Sequence, residues 1–446
     1  MNLYFATGLS RKEFAMKNLR LVLRAPVVLV AGVFMAWPAV AVDLSYSGFG
    51  TVGYSRSDQP YHYQRFVDND GTFRRDSVLG LQVDARINDQ FSATVQGKVA
   101  ASLKSDSATD ATISWAFLSW RPSNDWLVRA GRLRVPLYLR SESTDVGTTF
   151  DFAQLPTEVY STSPTTDVDG LAVSKTWNSA VGEWTLDGYV GSTNTTFRTY
   201  LRDNPAAGLS GRASTPVRVN ARGLVLTFQQ DDNLFRIGAH DVRVKTTDGQ
   251  FFPVTYPFVT IAPGIGYYQV SSQMPGPGLS AVGEIHSPTY TLGADVAVGA
   301  DFRLVGEYVR RNVLGVNTGS NTQGAYLAVL RPVGAWTPYV SVGRLLSKPE
   351  VRDLYGKVNT NRVPAFIPGA ARINASQRAG ADGLSPYDQT TWAAGTSYRL
   401  SPSSKLKAEW ARTRVGLASG LIDAPPGGES GNQVVNVLSL SYSFVF

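Results

Sequence analysis

The chain has 446 residues with no cysteine, 42 glycines, 20 tyrosines, 20 phenylalanines and 9 tryptophans, and a mean hydropathy of −0.10. No apolar run of about 20 residues follows residue 41, which excludes a helical membrane protein, and the lack of thiols excludes a disulfide framework and cysteine-ligated metals. The formal charge of +7 shrinks once residues 1–41 are set aside: they hold Arg11, Lys12, Lys17, Arg20 and Arg24 against Glu13, leaving 37 Lys and Arg against 34 Asp and Glu, a net +3. A nearly neutral body without a basic stripe or recognition motif gives no electrostatic argument for nucleic-acid binding.

From the N terminus, Met16 to Ala41 has the three parts of a secretory signal. Lys17, Arg20 and Arg24 give a positive start, Val27 to Met35 an apolar run between Pro26 and Pro38, and Ala39-Val40-Ala41 a small-x-small cleavage site. The run is too short to span a bilayer as a helix. The expected division is a cleaved signal region over residues 1–41, with Met16 a candidate start, and a single β-barrel domain over 42–446.

The rest of the chain alternates with a period of two. Leu79, Leu81, Val83 and Ala85 interleave with Gln82, Asp84 and Arg86. Phe302, Leu304, Gly306 and Tyr308 interleave with Arg303 and Glu307, and Leu406, Ala408 and Trp410 with Lys405, Lys407 and Glu409. Each strand thus has one apolar face for lipid and one polar face for a wet lumen, which a closed barrel allows because all backbone groups pair around the ring.

Connections sort into two kinds along the chain. The short ones, built of turn formers, are Asn88-Asp89, Pro122 to Asp125, Asn178 to Gly182, Gln230 to Asn233, Gly299-Ala300, Pro332 to Gly334 and Ser401 to Ser404. The long ones are Arg56 to Phe73, Ser102 to Ala111, Arg134 to Val168, Thr193 to Arg218, Thr246 to Pro288, Val313 to Asn321, Ser347 to Asp388 and Gly416 to Asn432. Their alternation predicts an all-β, antiparallel transmembrane barrel of about sixteen strands, with both termini and the short turns at one rim and the long loops at the other. A barrel of that size leaves an aqueous channel. The last strand, Val434 to Phe446, carries Leu438, Leu440, Tyr442, Phe444 and Phe446 on one face and Ser439, Ser441 and Ser443 on the other.

Over its mature length the chain resembles a Gram-negative outer-membrane porin. The resemblance is carried by DLSYSGFGTVGY (Asp43 to Tyr54), GAYLAVLRPVGAWTPYVSVGRLLS (Gly324 to Ser347) and the final hairpin ending in SLSYSFVF. GRLRVPLYLRSESTDVG (Gly131 to Gly147) followed by LPTEVY (Leu155 to Tyr160) is similar to a proteobacterial porin-like family of undefined substrate. The resemblance implies an outer-membrane location, contact with membrane lipid and lipopolysaccharide, a homotrimer, and delivery to the barrel assembly machinery through the strand ending in Phe446. It also implies a third loop folded into the lumen. The charges of that loop, Arg134, Arg140, Glu142, Asp145, Asp151, Glu158 and Asp167, are then the candidate constriction. Facing them, Arg86, Lys98, Arg129, Arg303, Glu307, Arg344, Lys405, Lys407 and Glu409 are candidate pore-wall residues. Opposed charge rows would set a transverse field and an ion preference; ordinary solvated loop charges are the alternative for each. No dense Arg and Lys ladder supports phosphate selectivity.

The function this reading favours is passive diffusion of ions and small hydrophilic solutes. Substrate-selective uptake of sugars or organic acids is the alternative within channels, with Tyr138, Phe150 and Phe152 as its signature unless they anchor the loop. A structural or adhesive protein acting through its loops is the alternative from another class. An enzyme is not expected: His62 and His286 fall in long connections, His240 shares the lumen parity of Arg236, and none is placed beside a nucleophilic serine. Neither a cofactor nor a metal is expected, because Asp68-Asn69-Asp70-Gly71 lacks the distant glutamate of a calcium loop.

Overall fold

The computed structural model describes residues 42–163, 165–204, 209–424 and 428–446; the expected signal region lies outside them. Sixteen antiparallel strands close into a barrel in which each pairs with its neighbour in sequence. They are β1 (Asp43–Ser57), β2 (Val78–Arg86), β3 (Phe91–Ala101) and β4 (Thr109–Ser123); β5 (Trp126–Arg134), β6 (Asp167–Ser179), β7 (Gly182–Asn204) and β8 (Leu209–Gln230); β9 (Asn233–Thr246), β10 (Glu284–Ala297), β11 (Arg303–Arg311) and β12 (Thr322–Leu330); and β13 (Trp336–Ser347), β14 (Tyr387–Ser401), β15 (Ser404–Ser419) and β16 (Val434–Val445). All seven expected short turns lie between strands that pair.

Closure is made by β1 against β16, in register from Phe49 opposite Val445 to Ser57 opposite Val437. The glycines of the first strand fit the aromatics of the last: a Cβ at Gly48 would stand 2.2 Å from the Phe446 ring, and one at Gly50 2.5 Å from the Phe444 ring. Tyr442, Phe444 and Phe446 stack in a row beside them, with centroids 5.6 and 6.2 Å apart. The small-residue strand at one end of the chain and the aromatic strand at the other are therefore complementary halves of one seam.

The faces follow the alternation. Leu79, Leu81, Leu406, Trp410, Leu438 and Leu440 are exposed on the outside, whereas Lys407, Glu409, Ser439, Ser441 and Ser443 are buried within. The outer surface is asymmetric along the strands. Near the short turns it carries aromatic clusters: Phe91 with Trp120, Trp177 with Trp184, Phe228 with Phe235, and Trp336 with Tyr398. Near the long connections it carries ion pairs, Arg132 with Asp169, Arg222 with Asp241, and Arg243 with Glu284. No helix among the described residues is long and apolar enough to cross a membrane.

The long connections hold structure that alternation did not foretell. The expected loop Thr193 to Arg218 is instead a continuation of β7 and β8, whose pairing runs to Asn204 opposite Leu209; β-branched and aromatic residues in Thr193 to Tyr200 favour extension. The connection after β9 holds two short ribbons, Phe252–Pro253 with Ala281–Val282 and Phe258–Ala262 with Ile265–Tyr268. Among the described residues three α-helices interrupt the strands: α1 (Thr157–Tyr160), α2 (Pro349–Thr360) and α3 (Ala370–Leu384). Proline at the first turn of α2 suits a helix start, and α3 is rich in helix-forming alanine. Arg202, fully buried on the β7–β8 extension, donates to Asp382 of α3 (2.7 Å), Asn359 of α2 (2.7 Å) and Glu429 (2.6 Å). Arg198 pairs with Asp106 at 3.0 Å and with Asp423. The extension thus ties three other long connections together.

The seam makes a prediction. Gly50→Leu overpacks the Phe444 ring and is expected to destabilise the barrel by about 1–3 kcal/mol, seen as a lower temperature for loss of the compact form in heat-modifiability gels. Adding Phe444→Ala should restore part of the loss; equal destabilisation with and without Phe444 would refute the fit.

Candidate functional site

The connection from β5 to β6 enters the lumen. It leaves the wall at Arg134, whose guanidinium is buried between Asp145 (2.8 Å) and Asp167 (2.7 Å), so the two ends of the loop are fastened to one cation. Val135, Leu137, Tyr138, Phe150, Phe152, Leu155 and Val159 then form one apolar cluster with inward residues of the wall, among them Val305, Val309, Tyr326 and Tyr339. Phe152 lies edge-on to Tyr339 and Tyr326, with centroids 5.1 and 6.2 Å away. Tyr138, Phe150 and Phe152 are all buried in this packing.

Polar anchors fix the loop in register. Glu307 of β11 is buried and accepts from the Leu139 amide (2.7 Å), the Tyr160 hydroxyl (2.7 Å) and the Tyr326 hydroxyl (2.8 Å). Glu158 of α1, also buried, accepts from the Gln389 amide (2.9 Å) and the Thr391 hydroxyl (2.5 Å). The helix turn can approach because β12 has a glycine there: a Cβ at Gly324 would stand 2.0 Å from the Glu158 carbonyl oxygen. The Tyr339 hydroxyl accepts from the Ala153 amide (3.0 Å) and donates to Glu409 of β15 (2.7 Å). On the far side, the loop reaches β1 and β16, where Gly147 meets Thr51 and Ser443.

The structure brings most of the sequence-derived residues together, as contact pairs rather than rows facing across water. Asp145 pairs with Lys98 at 2.8 Å as well as with Arg134. Asp151 pairs with Lys405 at 2.8 Å and accepts from Ser397 at 2.7 Å. Arg140 and Arg303 share Asp295, at 2.7 and 2.6 Å, and Arg129 lies 3.7 Å from Glu142. Lys407 donates to the Phe152 carbonyl (3.1 Å) and lies over the Phe150 ring. Two expected wall residues stand elsewhere. Arg344 is on the outer face, because Gly343 beside it meets Glu158 in the lumen and Leu345 is buried; its partner is Asp388. Arg86 keeps the inward parity but lies at the short turn, exposed and paired with Asp89 at 2.7 Å. His286 also departs from expectation: it is on β10 rather than in a loop, with Nε2 2.5 Å from Asp241. His240 is buried on the lumen side, hydrogen-bonded to Tyr189 at 2.9 Å.

No protein-family model and no curated protein matches the chain. Among solved structures it is similar to OmpT, an outer membrane protein of Vibrio cholerae, in a form with loop L8 deleted: 12% identity over 91% of this chain and 100% of that one, TM-score 0.49. It is also similar to Pseudomonas putida OprB (11%, covering 91% and 94%, TM-score 0.49) and to an anion-selective porin from Comamonas acidovorans (12%, covering 91% and 100%, TM-score 0.46). The architecture is a closed, sixteen-stranded antiparallel barrel. The chemistry of this barrel is read from its own residues.

Several residues that shape the lumen escaped the alternation argument. Asp295, Tyr326 and Tyr339 are on inward strand faces, where parity could have found them. Arg75 and Asp76 belong to the connection after β1, and nothing local in that stretch says that it turns inward. Arg75 nonetheless donates to Ser55 (2.6 Å) and Ser439 (2.8 Å) on the wall and to Gln64 (2.9 Å) of its own loop.

Two predictions concern the anchored loop of the barrel. Glu307→Ala leaves three buried donors without their acceptor, at about 1–3 kcal/mol each, and is expected to release the segment around Leu139 and Tyr160 to limited proteolysis while the barrel stays folded; an uncut loop would show that Glu307 does not hold it. The second is a pH dependence. Burial alone would raise the Asp145 carboxyl, but Lys98 and Arg134 hold it below its ordinary 3.8; Asp151 is likewise buried, yet held down by Lys405 and Ser397. Because these two folded values lie below the unfolded ones, the anchoring that Asp145 and Asp151 supply is fully present above about pH 4 and is lost as pH falls through the lowered values. Protease accessibility of the loop should therefore be flat from pH 7 to 5 and rise only below 3.8.

Proposed function

We propose that this chain is an outer-membrane porin that passes ions and small hydrophilic solutes by passive diffusion through a lumen narrowed by its third connection. The observation that carries the reading is the polar, serine- and charge-lined inner face of a sixteen-stranded closed barrel whose outer face is apolar. A barrel meant only as a scaffold for loops has no need of that inner face. The outer surface supports the location: an aromatic belt near the short turns suits one membrane interface, and the charged belt near the long connections suits the phosphates and carboxylates of a lipopolysaccharide leaflet. Delivery to the barrel assembly machinery belongs to this reading, with the aromatic row Tyr442, Phe444 and Phe446 at the closing seam in its favour. A homotrimer belongs to the same reading. The organic-acid or sugar alternative is less favoured, because Tyr138, Phe150 and Phe152 are used in packing the loop to the wall.

The test is planar-bilayer recording of the refolded mature chain under a salt gradient. Stepwise, ohmic insertions that close in thirds are expected. A folded, heat-modifiable barrel without conductance would overturn the channel and move attention to the tied long connections.

A further inference from the structure

Within the lumen two cavities lie on either side of a shared edge. One, of about 40 Å³, is lined by Tyr63, Glu158, Thr413 and Glu409; the other, of about 240 Å³, is lined by Thr51, Asp76, Asp145 and Ser443. Three residues line both: Arg75 from the first connection, and Gln154 and Leu155 from the third. The third connection is therefore not the whole constriction. It meets a second inward-turned loop.

Resting on the channel reading above, we propose that the narrowest point of the permeation path is the gap between Arg75 and the Gln154–Leu155 segment, and that the Arg75–Asp76 ion pair decides the ion preference there. Arg75 is suited to the first task because its guanidinium is fixed. It donates to Ser55, Ser439 and Gln64, and its Asp76 partner is 2.8 Å away, itself taking the Ser55 hydroxyl at 2.6 Å. A planar fork held at this many points cannot swing aside as a lysine would. Leu155, buried in the apolar cluster, gives the opposite edge an equally fixed position.

The second task follows from charge balance. Lys98, Arg134 and Lys405 are neutralised by Asp145, Asp167 and Asp151, so the field those charges throw across the lumen is small. At the junction itself Arg75 and Asp76 cancel one another, with side chains only 7% and 10% exposed. Removing either one leaves the other uncompensated at the narrowest point, where a single charge outweighs distant ones in setting ion preference. The two removals must act in opposite directions, which no general loosening of the loop would produce.

The experiment uses the refolded full mature chain in planar bilayers under a potassium chloride gradient, with heat-modifiability confirming that each variant is folded. Arg75→Ala is expected to raise single-channel conductance by about twofold and move the reversal potential toward cation preference. Asp76→Asn should move it toward anion preference, and Leu155→Ala should raise conductance with the reversal potential unchanged. Arg344→Ala, on the outer face, should match the wild type in both. If Arg75→Ala fails to fold, Asp76→Asn and Leu155→Ala carry the same test from the other side of the gap. Folded variants that all conduct like the wild type, or that shift the potential in one direction only, overturn this inference alone; a wild type that folds but is silent overturns the channel reading and this inference with it.

Discussion

The structure depends on one constraint: in hydrocarbon no backbone amide or carbonyl can be left without a partner. A sheet satisfies this only by closing on itself, so the first and last strands must fit one another as well as any interior pair does. The fit of Gly48 and Gly50 beneath Phe446 and Phe444 meets that demand with side chains from opposite ends of the chain. Closure in turn frees the inner face from any need to be apolar. That freedom is what lets serines, lysines and glutamates point inward on strands whose other face is Leu, Trp and Tyr.

A lumen of this width creates a second problem, which the loops solve. Left open, the sixteen strands would enclose water across their full diameter; here a segment of the chain fills one side of it. Placing a loop inside a barrel removes its backbone from bulk solvent, and its polar groups then need partners on the wall. Glu307, Gln389, Tyr339 and Asp295 are those partners, and most of the bonds they make to the loop have a neutral hydroxyl or amide as donor. The aromatics Tyr138, Phe150 and Phe152 supply the apolar half of the same attachment. Groups that look from their chemistry like a selectivity filter are thus largely consumed in holding the loop still.

The architecture was legible because each part of it has a period or a punctuation mark in the sequence. Alternation marked the faces, turn formers marked the short rim, and the sorting of connections gave the strand number. Within strands parity placed Lys98, Arg129, Arg303, Glu307, Lys405, Lys407 and Glu409 inward. It failed for Arg344, where Gly343 and Leu345 face the lumen and a charged residue faces out. Polarity there reports the rim near the long connections, where the outer surface is ionic rather than greasy, so the usual equation of polar with inward breaks down. The extended β7–β8 ribbon and the helices α2 and α3 were hidden for a related reason: beyond the barrel rim neither face is lipid, and the two-residue contrast that identifies a membrane strand is absent.

What sequence reasoning could not reach is which charges remain electrostatically free. Pairing between Asp151 and Lys405, or between Arg134 and Asp145, joins residues that are adjacent only because a loop folds back across the lumen. Counting charges on the third connection predicts an acidic eyelet; the pairs convert that count into local dipoles whose influence fades within a few ångströms. On the channel reading, control of the path then passes to groups at its narrowest edge, proposed above to come from two loops instead of one. A barrel can in this way keep its strands and its anchored loop constant while a few residues of the first connection retune what the lumen admits.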